Sequence, residues 1–118
     1  MDRKALKREY LETPRPMGAY RIYNTVNGKS LVGTSINLTA MLNRHEAQLK
    51  MGGHPNTALQ SDWNVMGPEA FQFEVLDTLT PPDRQGYDPA DDLRTLEELW
   101  LEKLKPFEEQ GYNRPARQ

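Results

Sequence analysis

Side chains that could take part in chemistry lie far apart along this sequence. They include its only two histidines, His45 and His54, with Tyr20 among the tyrosines and Glu97 among the carboxylates. Imidazole and phenol groups can accept, donate or orient protons, and a carboxylate can hold a hard divalent cation. The sequence has no cysteine, which excludes disulfides, thiol nucleophiles and cysteine-based zinc sites. Proton transfer and cation binding remain open to these four side chains.

Each of these residues also has an ordinary structural interpretation. His45 lies at helical spacing with Leu42 and Leu49, as a core histidine would. Tyr20 lies in an alternating pattern that is typical of core packing in a strand. Glu97, next to a second glutamate, fits a solvated helix face. Taken singly, none of the four distinguishes a functional site from packing.

A β-hairpin is predicted to carry Tyr20. Its strands cover residues 18–24 and 29–34, and Asn27-Gly28 between them suits a tight turn. A third strand is predicted over 70–77, where apolar and polar residues alternate.

Three helices are predicted to complete the domain, over residues 37–51, 56–66 and 91–104. Asn37 is the expected N-cap of the first helix, and Gly52-Gly53 ends it. The fold class is therefore α+β, a small three-stranded antiparallel sheet flanked by helices. A short amphipathic helix over 2–12 is also predicted. The predicted core consists of Ile22, Val32, Leu38, Leu42, Leu59, Trp63, Phe71, Phe73, Val75, Leu96 and Trp100.

Charge is distributed unevenly over a sequence of 118 residues that carries a net charge of −2. Residues 1–60 contain nine Lys and Arg against four Asp and Glu, and residues 61–118 contain six against thirteen. Binding to phosphate depends on the local potential, so the first half is expected to face any nucleic acid, with ordinary surface charge as the alternative. No apolar run could cross a bilayer and no signal-peptide core follows Met1, so a cytoplasmic protein without a membrane partner is expected.

The order of these residues resembles the GIY-YIG nuclease family. That family carries Gly-Ile-Tyr on one strand of a hairpin and Tyr-Ile-Gly on the other, where this sequence has Gly18-Ala19-Tyr20 and Leu31-Val32-Gly33. The resemblance covers residues 17–113, which divides the chain into an N-terminal extension (1–16), a nuclease-like domain and a tail (114–118). Further matches follow in the order His45, His54, Leu59-Gln60, Asn64, Gly67, Glu97 and Gly111-Tyr112-Asn113.

The resemblance implies hydrolysis of phosphodiester bonds with one divalent metal, Mg²⁺ or Mn²⁺. Glu97 matches the metal-binding glutamate, and Tyr20 matches a tyrosine that deprotonates or orients the attacking water. His45 and His54 match two catalytic histidines of the family. Asn113, together with Lys29 on the hairpin, is predicted to contact the substrate.

Two family residues are missing. Leu31 stands where the family has its second tyrosine, and Met41 stands where it has an arginine four residues before His45. A leucine offers no hydrogen bond, and loss of the arginine removes a charge-assisted contact with phosphate. Arg44, within one turn of Met41, is predicted to substitute for it as a catalytic residue.

Three functions follow from these observations. The first is a divergent, weakened metal-dependent endonuclease acting on DNA more than on RNA, favoured because Glu97 and both histidines are present. The second is a catalytically inactive nucleic-acid-binding domain, to which Leu31 and Met41 point. The third is a protein-interaction module, suggested by the acidic second half.

Overall fold

The computed structural model describes residues 16–82 and 85–114. The predicted helix over residues 2–12 lies outside the described residues. Two single 3₁₀ turns, Pro68–Ala70 and Glu108–Gln110, accompany the main elements. In chain order the strands and helices are β1 (Met17–Asn24), β2 (Ser30–Ser35), α1 (Leu38–Met51), α2 (Thr57–Met66), β3 (Phe71–Leu79) and α3 (Ala90–Leu104).

The three strands form one antiparallel sheet in the order β2-β1-β3. The central strand β1 pairs Tyr20 with Gly33 on β2 and with Val75 on β3. The predicted α+β architecture is confirmed, and each predicted strand and core helix lies within two residues of its observed bounds.

The loop between β1 and β2 is longer than the tight Asn-Gly turn that the sequence suggested. Thr25–Asn27 form the turn, and Gly28 follows at φ 79°, in the left-handed region that favours glycine. The side chain of Asn24 stabilises this loop, because its Oδ1 accepts a hydrogen bond of 2.9 Å from the backbone N–H of Val26. The Asn24 side chain at the end of β1 therefore helps to stabilise a loop that the sequence analysis explained by Asn27-Gly28 alone.

The helices cover the two faces of the sheet separately. Ile22 points to the face that α1 and α2 cover, where it packs with Leu49, Leu59 and Trp63. Because side chains alternate along a strand, Thr34 points to the other face, where its hydroxyl donates a hydrogen bond to Glu97 on α3. The sheet therefore separates the elements that carry the histidines from the helix that carries Glu97.

The predicted core is mostly correct, with one clear exception. Val75 is 50% exposed, whereas the sequence predicted it as a core residue. The strand order explains the difference, because β3 is an edge strand and the helices contact mainly β1 and β2. Leu42, Phe73 and Trp100 are only partly buried.

Two caps fix the helix that carries His45. The side chain of Asn37 accepts a hydrogen bond from the backbone N–H of Ala40, and Gly52 ends the helix in the left-handed conformation. Both caps agree with the prediction from sequence. Within the described part of the chain, every helix is too short or too polar to cross a bilayer.

Candidate active site

Tyr20 is placed by a close approach between two strands. Gly33 lies opposite it on β2, and a Cβ atom at Gly33 would come within 2.5 Å of the Tyr20 hydroxyl. The phenol ring therefore occupies the space that a side chain at position 33 would fill. The Tyr20 ring therefore lies over β2, with its hydroxyl directed towards α1.

A continuous hydrogen-bonded chain joins Tyr20 to both histidines. The Tyr20 hydroxyl lies 2.8 Å from Nε2 of His45, and Nδ1 of His45 lies 2.8 Å from Nε2 of His54. The two imidazole rings are stacked, with centroids 5.0 Å apart. The structure therefore brings together three of the predicted catalytic residues, which come from β1, α1 and the segment before α2.

Burial controls the protonation of this chain. The pKa of His45 is lowered from 6.5 to about 4, first by burial and then by the neighbouring His54 and Arg44. Burial also lowers the pKa of His54. The pKa of Tyr20 is raised to about 12, first by burial and then by the negative charge of Glu97. At neutral pH both imidazoles are therefore uncharged and the phenol keeps its proton.

Two residues that sequence reasoning gave no role hold His54 in place. The backbone N–H of Asn56 donates a 3.0 Å hydrogen bond to Nδ1 of His54, and the buried side chain of Gln60 accepts one from the His54 backbone N–H. Gln60 in turn donates to the backbone carbonyl of Leu49 on α1. The only sequence signal for this role was the place of Gln60 in the family order.

Glu97 on α3 lies near the Tyr20 end of the chain. Its half-buried carboxylate accepts a long hydrogen bond of 3.4 Å from the Thr34 hydroxyl, and its charge acts on Tyr20. No three His, Cys, Asp or Glu side chains come together in the described ranges as a ready-made metal cage. One carboxylate with a neighbouring hydroxyl suits Mg²⁺ or Mn²⁺, which bind through few protein ligands and keep water and substrate oxygens. The residues present therefore fit the expected metal.

The remaining predicted residues lie around this group in different roles. Arg44 is exposed on α1, next to His45, and its charge affects the pKa of that histidine. The Lys29 ammonium lies 5.9 Å from the centre of the Tyr112 ring. Asn113 uses both ends of its amide on β2: Oδ1 accepts from the Val32 N–H at 2.7 Å and Nδ2 donates to the Val32 carbonyl at 2.8 Å. Its amide is thus engaged in structure, and contact with a substrate stays a prediction.

Leu31 borders an open cleft beside His54, at one end of the hydrogen-bonded chain. The cleft has a volume of about 510 Å³ and is lined by Leu31 together with residues 54–58 and 112–114. Leu31 also packs against the core, and Met41 on α1 is half-buried. A larger cleft of about 620 Å³ contains none of the predicted site residues, since it is lined by Glu98, Leu101, Glu102, Lys105 and residues 107–110.

The sheet, the flanking helices and the hairpin that carries Tyr20 define a GIY-YIG-like fold. Two solved structures match it. The catalytic domain of the homing endonuclease I-TevI is 28% identical, with a TM-score of 0.68 over 85% of this chain and 99% of that one. A mutant of the catalytic domain of intron endonuclease I-TevI is 26% identical, with a TM-score of 0.67 over 83% and 92%. No protein-family model and no curated protein matches the sequence. The structural similarity supports a nuclease-type function.

Proposed function

We propose that this protein is a divergent GIY-YIG-type endonuclease that hydrolyses phosphodiester bonds in nucleic acid, DNA more than RNA, with Mg²⁺ or Mn²⁺. The observation that carries the proposal is the hydrogen-bonded chain Tyr20–His45–His54, built on the fold of an endonuclease catalytic domain. A core tyrosine and a core histidine would satisfy their polar atoms with neighbouring backbone. Here they satisfy one another, and His54 at the end of the chain lines an open cleft.

Tyr20 is suited to hydrogen bonding more than to proton abstraction. A phenol with a pKa of about 12 holds its proton at neutral pH, so it orients a water or a phosphate oxygen without removing a proton from it. Its hydrogen bond to His45 fixes the direction of the hydroxyl. Such fixed donors need no reorganisation when charge develops during the reaction.

The charged residues nearby supply the rest of the site. The Arg44 guanidinium is exposed and free to approach a phosphate, in place of the arginine that Met41 replaces. Glu97 would hold the divalent cation, and such a cation supplies charge stabilisation at the scissile phosphate.

The test is cleavage of plasmid and single-stranded DNA, with a matched single-stranded RNA, in Mg²⁺ or Mn²⁺. We expect cleavage by the unchanged protein and a loss on the order of 10²-fold in Glu97→Ala. Glu98→Ala is the matched control, because Glu98 is the adjacent, exposed glutamate on the same helix. Cleavage that survives Glu97→Ala at full rate would point to a contaminating nuclease.

A second function is favoured by one observation. Leu31 and Met41 supply neither a hydrogen bond nor a charge. At these positions the resembled family has a tyrosine, which forms a hydrogen bond, and an arginine, which also carries a charge. A protein that binds these nucleic acids in a salt-sensitive way but cleaves none of them would be an inactive binding domain. Absence of both activities would leave the protein-interaction function.

A further inference from the structure

The direction of the hydrogen bonds in the Tyr20–His45–His54 chain is set at one end by the backbone. The N–H of Asn56 can only donate, and it donates to Nδ1 of His54 at 3.0 Å. A ring nitrogen that accepts a hydrogen bond carries no proton. A neutral His54 must therefore carry its one ring proton on Nε2.

That assignment fixes the donor and the acceptor in the other two hydrogen bonds of the chain. Nε2 of His54 donates to Nδ1 of His45, 2.8 Å away. Nδ1 of His45 is then unprotonated, so a neutral His45 carries its proton on Nε2 and donates to the Tyr20 oxygen, also 2.8 Å away. The Tyr20 oxygen is an acceptor in this bond, and the hydroxyl hydrogen is free for another acceptor.

Both conditions of this argument hold in the structure. The histidines are neutral, because burial lowers the pKa of each. The donor at the end of the chain is rigid, because Asn56 is the N-cap of α2: its side chain accepts from the Leu59 N–H at 3.1 Å and donates to the Tyr112 carbonyl at 2.8 Å. Gln60, 8% exposed, fixes the His54 backbone from the other side.

We propose that His54 is a positioning residue that acts through His45 to make Tyr20 a hydrogen-bond donor to a phosphate group of the nucleic acid. The proposal rests on the proposed function for the identity of the acceptor. His45 cannot take the Tyr20 proton in this arrangement, because its only unprotonated nitrogen is occupied by His54. Tyr20 therefore contacts the substrate with its hydrogen, and the two histidines hold it in that orientation without removing a proton.

Nitrogen-15 NMR of the histidine side chains tests the hydrogen-bond direction in the full chain, without substrate or metal. We expect both His45 and His54 to be neutral near pH 7 and to carry the proton on Nε2. A His45 that carries its proton on Nδ1 would overturn the proposal.

Two substitutions of His54 distinguish the effect of the hydrogen-bond direction from the effect of side-chain packing at that position. His54→Gln can still donate from its amide to Nδ1 of His45, so His45 should keep its proton on Nε2. His54→Glu offers only an acceptor, so a neutral His45 should move its proton to Nδ1 and take up the Tyr20 hydrogen. Met51→Glu controls for the added charge, because Met51 is 86% exposed at the end of α1.

Cleavage of DNA links this direction to function. We expect the His54→Glu variant to be slower than His54→Gln by on the order of 10²-fold, the usual effect of losing one preorganised donor, and Met51→Glu to behave like the unchanged protein. Equal rates in the two His54 variants, with the proton of His45 moved as expected, would overturn the catalytic part of the proposal. If the unchanged protein cleaves nothing, the proposed function fails, whereas the NMR result still decides the direction of the hydrogen bonds.

Discussion

His45 lies half-buried between a phenol and a second imidazole, and its protonation is therefore coupled to folding. Its pKa falls from 6.5 to about 4 on folding, and that of His54 also falls. Between those two pH values the unfolded chain binds more protons than the folded one. The contribution of His45 to the free energy of unfolding should therefore be fully present above pH 6.5. It should be lost progressively as the pH falls towards 4. Urea denaturation across this range measures it.

The control for this prediction is His45→Gln, which removes the titrating group. Carboxylates also titrate in acid, so the relevant quantity is the difference in pH dependence between the two proteins. Equal slopes between pH 6.5 and 4 would mean that His45 ionises normally in the folded state.

Gly33 is predicted to control the position of the Tyr20 hydroxyl. In Gly33→Ala the new Cβ would lie 2.5 Å from that oxygen, so the ring must move away and break its contact with His45. The Tyr20 pKa, about 12 in the unchanged protein, should then move towards 10, which NMR titration of labelled tyrosine measures. Gly53→Ala is the control, because a Cβ there meets no atom within 4 Å. A Tyr20 pKa unchanged by Gly33→Ala would contradict the prediction.

At the scale of residues, sequence reasoning located the side chains that meet and missed those that hold them. His45 and His54 are the only histidines of the sequence, and together with Tyr20 they follow a recognisable order. Asn56 and Gln60 do not stand out, because their role depends on a backbone N–H and on a buried amide that only the tertiary structure brings to His54.

At the scale of elements, the C-terminal segment is attached to β2 through Asn113. Its amide satisfies the backbone N–H and carbonyl of Val32, a residue only 3% exposed. Asn113→Ala leaves both groups without their partner, and each buried unsatisfied group costs about 1–3 kcal/mol. We expect the free energy of unfolding to fall by about 2 kcal/mol or more, as measured by urea denaturation.

Asn43→Ala is the matched control for that substitution, because Asn43 is exposed on α1. It should change the free energy of unfolding by less than about 0.5 kcal/mol. Similar losses in both variants would show that water replaces the Asn113 amide.

The element boundaries show where local patterns stop being sufficient. Helix bounds followed from Asn37 and Gly52 because caps act within one turn of the chain. The turn length and the exposure of Val75 did not follow, since the first depends on the Asn24 side chain and the second on the position of β3 at the edge of the sheet.

At the scale of the whole molecule, the uneven charge predicts how salt affects binding. Arg114 lines the cleft, Arg44 lies next to His45 and Lys29 lies over the Tyr112 ring, in a chain whose net charge is −2. Each phosphate neutralised on duplex DNA contributes about −0.9 to the slope of log affinity against log salt concentration. We expect a slope between roughly −2 and −3 for duplex DNA.

Arg44→Ala should reduce that slope by about one, whereas Arg94→Ala should leave it unchanged. Arg94 is the control because it is exposed on α3 and paired with Asp91. Equal effects of the two substitutions would mean that the nucleic acid does not approach the Arg44 side.

The attachment of residues 111–113 to β2 also bears on how the protein behaves at high concentration. An uncovered outer strand offers unpaired backbone groups to the strands of other molecules, which is a common route to aggregation. Ser30 pairs with Gly111, and the Asn113 amide bonds both backbone groups of Val32, so this part of the β2 edge is already paired within the molecule. The opposite strand, β3, carries Glu74 and Asp77, and charged side chains discourage such pairing. Truncation before Gly111 should therefore expose the Ser30–Val32 part of this edge and increase self-association through β2.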